Sequence, residues 1–336
     1  MVKKFILLPI KCFWPASRRL FWGGLWLLGL GLLAWYPLRW WPGDSFWPVR
    51  LVNYMMPWLL AALTPALLIT LLAQRRGLAV TLAIPTLLVG LTFAPLFLPR
   101  PNIALAGDAS YRVMSYNIWG RNRDVAALAG VIGQEQPDIL LLQEVNPEMA
   151  GQLRAALAEF YAGHELYLAY EPGLGQAIIS RYPLAPVAAE WDKGRAQKVL
   201  ANTPAGPVAV WNVHTSQPLP WFWQYRQIAA LAADIAAVDT PLIVAGDFNT
   251  TDQSETYRLI NEHLGNAHWD AGWGFGFSFP AQIRQVKKIP LVTPLVRIDH
   301  IFYSRHFFAY QARTLADSGG SDHLPVVTQL SLLKEN

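Results

Sequence analysis

Residues 242–249 read LIVAGDFN: four apolar residues and a glycine, then an acid and an amide on either side of a phenylalanine. Leu242–Asp247 has the length and composition of a buried strand, and Asp247 stands at its C-terminal tip. Alone, Asp247 and Asn249 could form nothing more than an Asx turn. Five other segments repeat the form: Ser115-Tyr116-Asn117, Leu142-Gln143-Glu144-Val145, Asn212-Val213-His214-Thr215, Arg297-Ile298-Asp299-His300 and Ser321-Asp322-His323-Leu324-Pro325. Around them the pattern is that of a mixed α/β domain. Strands are expected at Arg112–Asn117, Ile139–Gln143, Ala177–Ser180, Val208–His214, Leu242–Asp247, Ile298–Ser304 and Val326–Leu330. Helical spacing runs from Val125 to Ile132, along Pro147–Phe160 and along Gln224–Ala237.

The polar tips supply four acids (Glu144, Asp247, Asp299, Asp322), two amides (Asn117, Asn249) and two histidines (His214, His323). Hydrolysis of a phosphoester needs a hard cation on the phosphoryl oxygens, a positioned water and a proton source for the leaving oxygen. Carboxylate and amide oxygens suit magnesium, with manganese as the alternative, and no thiol is required. Singly the residues have plainer readings. Asn117 could close a turn, Glu144 could be an exposed acid before the helix start at Asn146-Pro147, and His323 could be a satisfied surface histidine. Six such coincidences in order would be needed to sustain them all.

In that order the segments resemble the endonuclease/exonuclease/phosphatase superfamily, which includes DNase I-like nucleases, exonuclease III-like repair enzymes, inositol polyphosphate phosphatases and neutral sphingomyelinases. The resemblance covers residues 111–331 and rests on Gly246-Asp247-Phe248-Asn249 together with Ser321-Asp322-His323. It implies a four-layer α/β/β/α sandwich, preceded here by transmembrane helices, with the site at one edge of two packed sheets. It also implies Glu144 as the principal metal ligand, Asn117 beside it and Asp322 close to the metal. Asp247 would orient or deprotonate the attacking water, and Asn249 would donate to phosphate. His323, held by Asp299, would be a catalytic histidine, and His214 the phosphate-binding or leaving-group histidine. The division of labour between Asp247 and His323 stays open. Ile179-Ser180-Arg181-Tyr182-Pro183-Leu184 also resembles a family block that is usually structural, in which Arg181 could stand near phosphate. His300 reads as structural, and His164, His263, His268 and His306 as surface residues.

Charge divides the 336 residues unevenly. Residues 1–100 hold ten Lys or Arg against Asp44 alone, a net +9, whereas residues 101–336 carry a net −5. An acidic catalytic region argues against a long basic groove for nucleic acid. The single cysteine, Cys12, excludes an intrachain disulfide and a cysteine metal cluster. Three uncharged runs, Leu20–Tyr36, Leu51–Ala73 and Leu78–Leu98, are each long enough to cross a bilayer, and tryptophans cluster at their ends. Residues 1–98 therefore read as a membrane region and 99–110 as a linker. Lys3, Lys4, Lys11, Arg18 and Arg19 before the first run, and Arg75 and Arg76 between the second and third, place those flanks in the cytoplasm. Three spans then put residues 111–331 outside it, whereas two, with the first run lying on the surface, put them inside. The Ala104-Leu105-Ala106 triplet resembles a signal-peptidase site whose cleavage would release the domain.

Two aromatic stretches, Pro218–Trp223 and Trp269–Phe279, are either core or an apolar rim that touches membrane lipid. Arg284, Lys287, Lys288 and Arg297 follow the second and could meet anionic headgroups or the substrate phosphate, or form a solvated face. The expected activity is metal-dependent hydrolysis of a lipid or small phosphoester, with no protein partner. A nuclease and a non-catalytic membrane-bound binding protein are the alternatives, and the latter would require the loss of a site residue.

Overall fold

The computed structural model describes residues 8–98, 109–161, 163–187, 196–281 and 293–333. Residues 99–108 of the linker, including the Ala104–Ala106 triplet, lie outside the described residues, as do Arg284, Lys287 and Lys288. The chain divides into two compact units, Met1–Pro95 and Leu96–Asn336.

The first unit is helical: α1 (Leu8–Leu38), α2 (Trp47–Tyr54), α3 (Met56–Leu72) and α4 (Arg76–Phe93). Ser17–Leu38 and Arg76–Phe97 are each 22 residues and apolar enough to cross a membrane. At 1.5 Å per residue that is about 33 Å of helix. The run Leu51–Ala73 departs from the expectation of one continuous helix, because α2 and α3 meet at 80° and count as a third span only if the bent pair is one. Pro57 explains the break: it lacks an N–H and favours the first turn of a new helix, which is where α3 holds it. Leu20–Tyr36, the shortest run, lies within an unbroken helix. Asp44 is buried and accepts from Asn53 Nδ2 at 2.7 Å, while Asn53 Oδ1 accepts from Trp35 Nε1 at 3.1 Å.

The second unit holds two six-stranded sheets. The first consists of β1 (Ala109–Asn117), β2 (Ile139–Gln143), β3 (Tyr167–Glu171), β4 (Gln176–Ser180), β11 (Phe307–Thr314) and β12 (Val326–Leu332), in the order β11-β12-β1-β2-β4-β3. The second consists of β5 (Leu184–Pro186), β6 (Ala196–Thr203), β7 (Gly206–His214), β8 (Leu242–Asp247), β9 (Gly265–Asn266) and β10 (Asp299–Tyr303), in the order β5-β6-β7-β8-β10-β9. The helices are α5 (Val125–Glu135), α6 (Pro147–Leu157), α7 (Trp221–Ala236), α8 (Glu255–Asn261) and α9 (Ala267–Ala271).

Strand alternation builds the layers. Ile139 and Leu141 face inward against Ile178, Val210 and Ile243, forming the core between the sheets. Leu140 and Leu142 face outward against Leu128, Ile132 and Leu153 of α5 and α6. On the far side Trp211 and Val244 meet Ile228 and Leu231 of α7 and Ile260 of α8. The result is an α/β/β/α stack. Because β2 and β8 are covered on both faces, they read as continuous apolar runs.

Candidate active site

Pairing register brings the polar tips together. In the parallel pair β1/β2, Asn117 lies opposite Gln143, and in the parallel pair β7/β8, His214 lies opposite Asp247. The antiparallel pair β8/β10 sets Asp299 beside Asp247. The segment Ser321–His323, just before β12, reaches the same edge: Ser321 Oγ donates to Asn117 O at 2.7 Å and accepts from His323 N at 3.1 Å. Close packing is part of this geometry. A Cβ on Gly246 would stand 1.9 Å from Val213 O, so only glycine lets β8 lie against β7 there.

Glu144 and Asn249 follow their strands with φ of +59° and +49°. Such values are uncommon for non-glycine residues and tend to gather at functional sites. Gly120 N donates to Glu144 Oε2 at 2.8 Å and holds that carboxylate. Asn117 Nδ2 bridges Glu144 Oε1 at 3.2 Å and Asp247 Oδ2 at 3.0 Å, while its Oδ1 accepts from Trp119 N. In this arrangement Asn117 braces two carboxylates and turns its amide oxygen away from them. Asn249 N donates to Asp247 Oδ1 at 2.9 Å, and its side-chain nitrogen donates to Thr215 O at 3.1 Å.

His323 Nδ1 lies 2.9 Å from Asp299 Oδ2, and both side chains are buried. Asp247 Oδ2 stands 3.7 Å from His323 Nε2 and 3.7 Å from His214 Nε2. Burial alone would push the His323 imidazole down, but Asp299, Asp247 and Asp322 outweigh it and raise the group to about 10. Burial pushes the Asp247 carboxyl up, with His323 as the chief counterweight. Burial also raises Asp322, which His323 partly offsets and Glu144 reinforces.

Two groupings offer donors to a cation. Asp247, Asp299 and His323 bring one ligand atom each within 4.8 Å of one another. In that group, however, His323 Nδ1 is engaged with Asp299, the geometry of a histidine and its orienting acid. The other grouping is Glu144 with Asp322, whose Oδ1 is buried without a hydrogen-bond partner. Asp299 Oδ1 is also without a partner, but the other oxygen of that carboxylate is taken by His323 and Ser278, so Glu144 and Asp322, with an unpartnered oxygen near a second carboxylate, fit a hard cation better.

Comparison with known families covers the same stretch of chain. The profile described as Endonuclease/Exonuclease/phosphatase family matches residues 114–323. The chain belongs to that family. No curated protein sequence matches it. Among solved structures it resembles an endonuclease/exonuclease/phosphatase family protein from Leptotrichia buccalis C-1013-b (16% identity, TM-score 0.54, 66% of this chain and 100% of that one). It also resembles a mannosyl-6-phosphatase of Bacteroides thetaiotaomicron VPI-5482 (18%, 0.52, 66% and 100%) and truncated TDP2 of Caenorhabditis elegans (18%, 0.50, 66% and 98%). At these identities the likeness speaks to the fold: an endonuclease/exonuclease/phosphatase hydrolase fold.

Of the residues outside this cluster, Arg181 and Arg297 lie elsewhere than the sequence led one to expect. Arg181 is not near the site. It directly follows β4, the strand antiparallel to β2, at the opposite edge, paired with Asp138 at 2.9 Å and with His164 Nε2 at 3.1 Å. His164 is therefore partnered, as is His306, whose Nδ1 lies 3.1 Å from Ser304 Oγ. His268 is half-buried, its Nε2 2.9 Å from Gly274 O. His300 is buried among Phe248, Tyr257 and Phe302, with Nε2 2.9 Å from Thr250 O. Arg297 is buried and pairs with Asp252 at 2.6 Å.

Other contributors escaped the sequence reading. Ser278 Oγ donates to Asp299 Oδ2 at 2.6 Å, and the Phe279 ring lies 4.7 Å from that of His323. Gln143 Nε2 donates to Asn212 Oδ1 at 2.7 Å and Asn212 Nδ2 to Leu142 O at 2.8 Å, clamping the two sheets behind the site. The available signal was a polar residue inside an otherwise apolar strand.

Proposed function

We propose that residues 111–331 catalyse divalent-metal-dependent hydrolysis of a phosphodiester or phosphomonoester, with a lipid or small phosphoester as substrate. The observation that carries this reading is the Asp299–His323–Asp247 array beside the unpartnered Asp322 oxygen and Glu144. Glu144 and Asp322 would hold the ion, magnesium or manganese, with Asn117 bracing Glu144. When bound, the ion would polarise the phosphoryl oxygens.

The remaining roles follow from charge. Three neighbouring carboxylates keep His323 protonated at neutral pH, so it acts as a proton donor and Asp299 fixes its ring. Asp247, between His214 and His323, orients the attacking water and takes its proton. As the water oxygen bonds to phosphorus, the bond to the leaving oxygen breaks and that oxygen receives a proton. Asn249 and His214 meet the phosphate oxygens.

Support for a lipid substrate comes from α7. Gln224 Nε2 donates to Asn249 O at 2.7 Å, tying the start of this helix to the site. In the five residues before Gln224, Leu219, Phe222 and Trp223 are 71%, 46% and 58% exposed. That exposure favours the rim over the core reading of the first aromatic stretch. The mannosyl-6-phosphatase neighbour keeps small phosphomonoesters in view.

The test is full-length protein assayed with magnesium against sphingomyelin, phosphatidylinositides, a chromogenic phosphodiester, sugar phosphates, plasmid DNA and RNA. Turnover of lipid or small phosphoesters is expected; cleavage of nucleic acid alone would overturn the substrate class. We further propose that α1, the bent α2–α3 pair and α4 span a membrane, with the catalytic unit outside the cytoplasm. Alkaline phosphatase fused after Asn336 should be active and green fluorescent protein dark, and the reverse pattern would overturn this orientation.

A further inference from the structure

The second aromatic stretch alternates glycine and aromatic side chains: Gly272-Trp273-Gly274-Phe275-Gly276-Phe277-Ser278-Phe279. Gly274 and Gly276 adopt φ of +71° and +61°, so the segment has little conformational preference of its own and must be held by contacts. Its last two residues hold the Asp299–His323 pair. Ser278 Oγ bonds to Asp299 Oδ2 at 2.6 Å and Phe279 lies over His323. Its first residues are held by the chain that leaves the apolar helix. Gly274 N donates to Leu96 O at 2.8 Å, and Phe97 packs edge-on against Trp273 and Phe275, with ring centroids 6.0 and 5.1 Å apart. Phe275 in turn stacks on Phe277 at 5.2 Å and 7°. Leu96 is fully buried, and Leu96–Leu98 belong to the catalytic unit although the apolar run Leu78–Leu98 contains them.

We propose that Leu96 and Phe97 are positioning residues for the Asp299–His323 pair, acting through the aromatic segment 273–279. Ring contacts run from Phe97 through Phe275 to Phe277, and the backbone joins Phe277 directly to Ser278 and Phe279. Removing the Phe97 ring takes one packing partner from Trp273 and from Phe275, at a segment that glycine makes easy to displace. A small displacement of a catalytic group lowers turnover more than substrate binding. The inference rests on the reading of Asp299 and His323 as catalytic.

The experiment uses the full chain in nanodiscs with magnesium and a chromogenic phosphodiester. Phe97→Ala should lower kcat about tenfold with KM changed by less than about twofold, and Phe97→Tyr should restore kcat to within about twofold of wild type. Phe160→Ala removes a ring of the same size beside Gly133, away from the site, and should leave kcat unchanged. Hydrogen exchange gives a readout that does not depend on turnover: the peptide covering 272–281 should exchange faster in Phe97→Ala, and one covering β8 should not. The inference is overturned if Phe97→Ala keeps wild-type kcat and exchange, if Phe97→Tyr performs no better than alanine, or if Phe160→Ala loses as much. If His323→Ala also keeps wild-type turnover, the failure belongs to the catalytic assignment instead.

Discussion

The two ends of the same sheets carry acids in opposite circumstances. At the far edge Asp138 has Arg181 at 2.9 Å, and Glu135 pairs with Arg313. At the site edge Glu144, Asp247, Asp299 and Asp322 crowd together, and among the described residues none of them forms an ion pair with Lys or Arg; only His214 and His323 approach. One protonated imidazole, His323, faces four buried or half-buried carboxylates, so further protons or a bound cation are needed to offset the remaining charge at this edge. The far edge is closed electrostatically and the near edge is open, and that openness is what chemistry there requires.

The comparison breaks most readily at Glu144. Glu144→Gln should abolish hydrolysis, and it should also remove the rise in melting temperature that magnesium gives the wild type, because a ligand stabilises only a state that binds it. A retained magnesium shift would move the ion to other residues. Next, His323→Ala should lower turnover by about 10²–10⁴-fold, and Asp299→Asn should lower it less; unchanged kinetics for Asp299→Asn would dissolve the pair.

A third test uses His300, Asp299's chain neighbour, which burial and Arg297 hold neutral by lowering it to about 3. A depressed histidine contributes stability that is present above about pH 6.5 and lost as pH falls toward 3. The melting temperature of His300→Gln should therefore fall less steeply across that window than the wild type's, and parallel slopes would mean His300 is not held neutral. The smallest effect belongs to the far edge. Arg181→Ala should leave kcat unchanged and lower stability by about 1 kcal/mol or less, since the pair is partly exposed. A drop in turnover would show that the two ends are not independent.

What could be read beforehand followed burial. Strands covered on both faces, such as Ile139–Gln143 and Leu242–Asp247, were legible to the residue because every position is apolar until the polar tip. Strand β6 alternates with exposed Leu200 and Asn202, β3 is half-exposed along its length, and β11 carries an irregularity between Ala309 and Gln311, so their patterns were blurred. The site residues that close strands stood out as acids, amides and histidines in apolar surroundings. Ser278 and Phe279 did not, because they sit in a loop whose aromatic and glycine content reads equally as surface or core. Arg181 was misplaced because sequence shows that a strand ends there but not which edge of the sheet that end reaches.

Gly246 has a consequence for how this protein can vary. It has no side chain to offer the site, yet Val213 O occupies the space any side chain would need. In a saturation library selected for activity, position 246 should be as closed to replacement as Asp247 beside it. A survey of tolerated substitutions would then flag the glycine as essential chemistry when the constraint is only the room between two neighbouring strands.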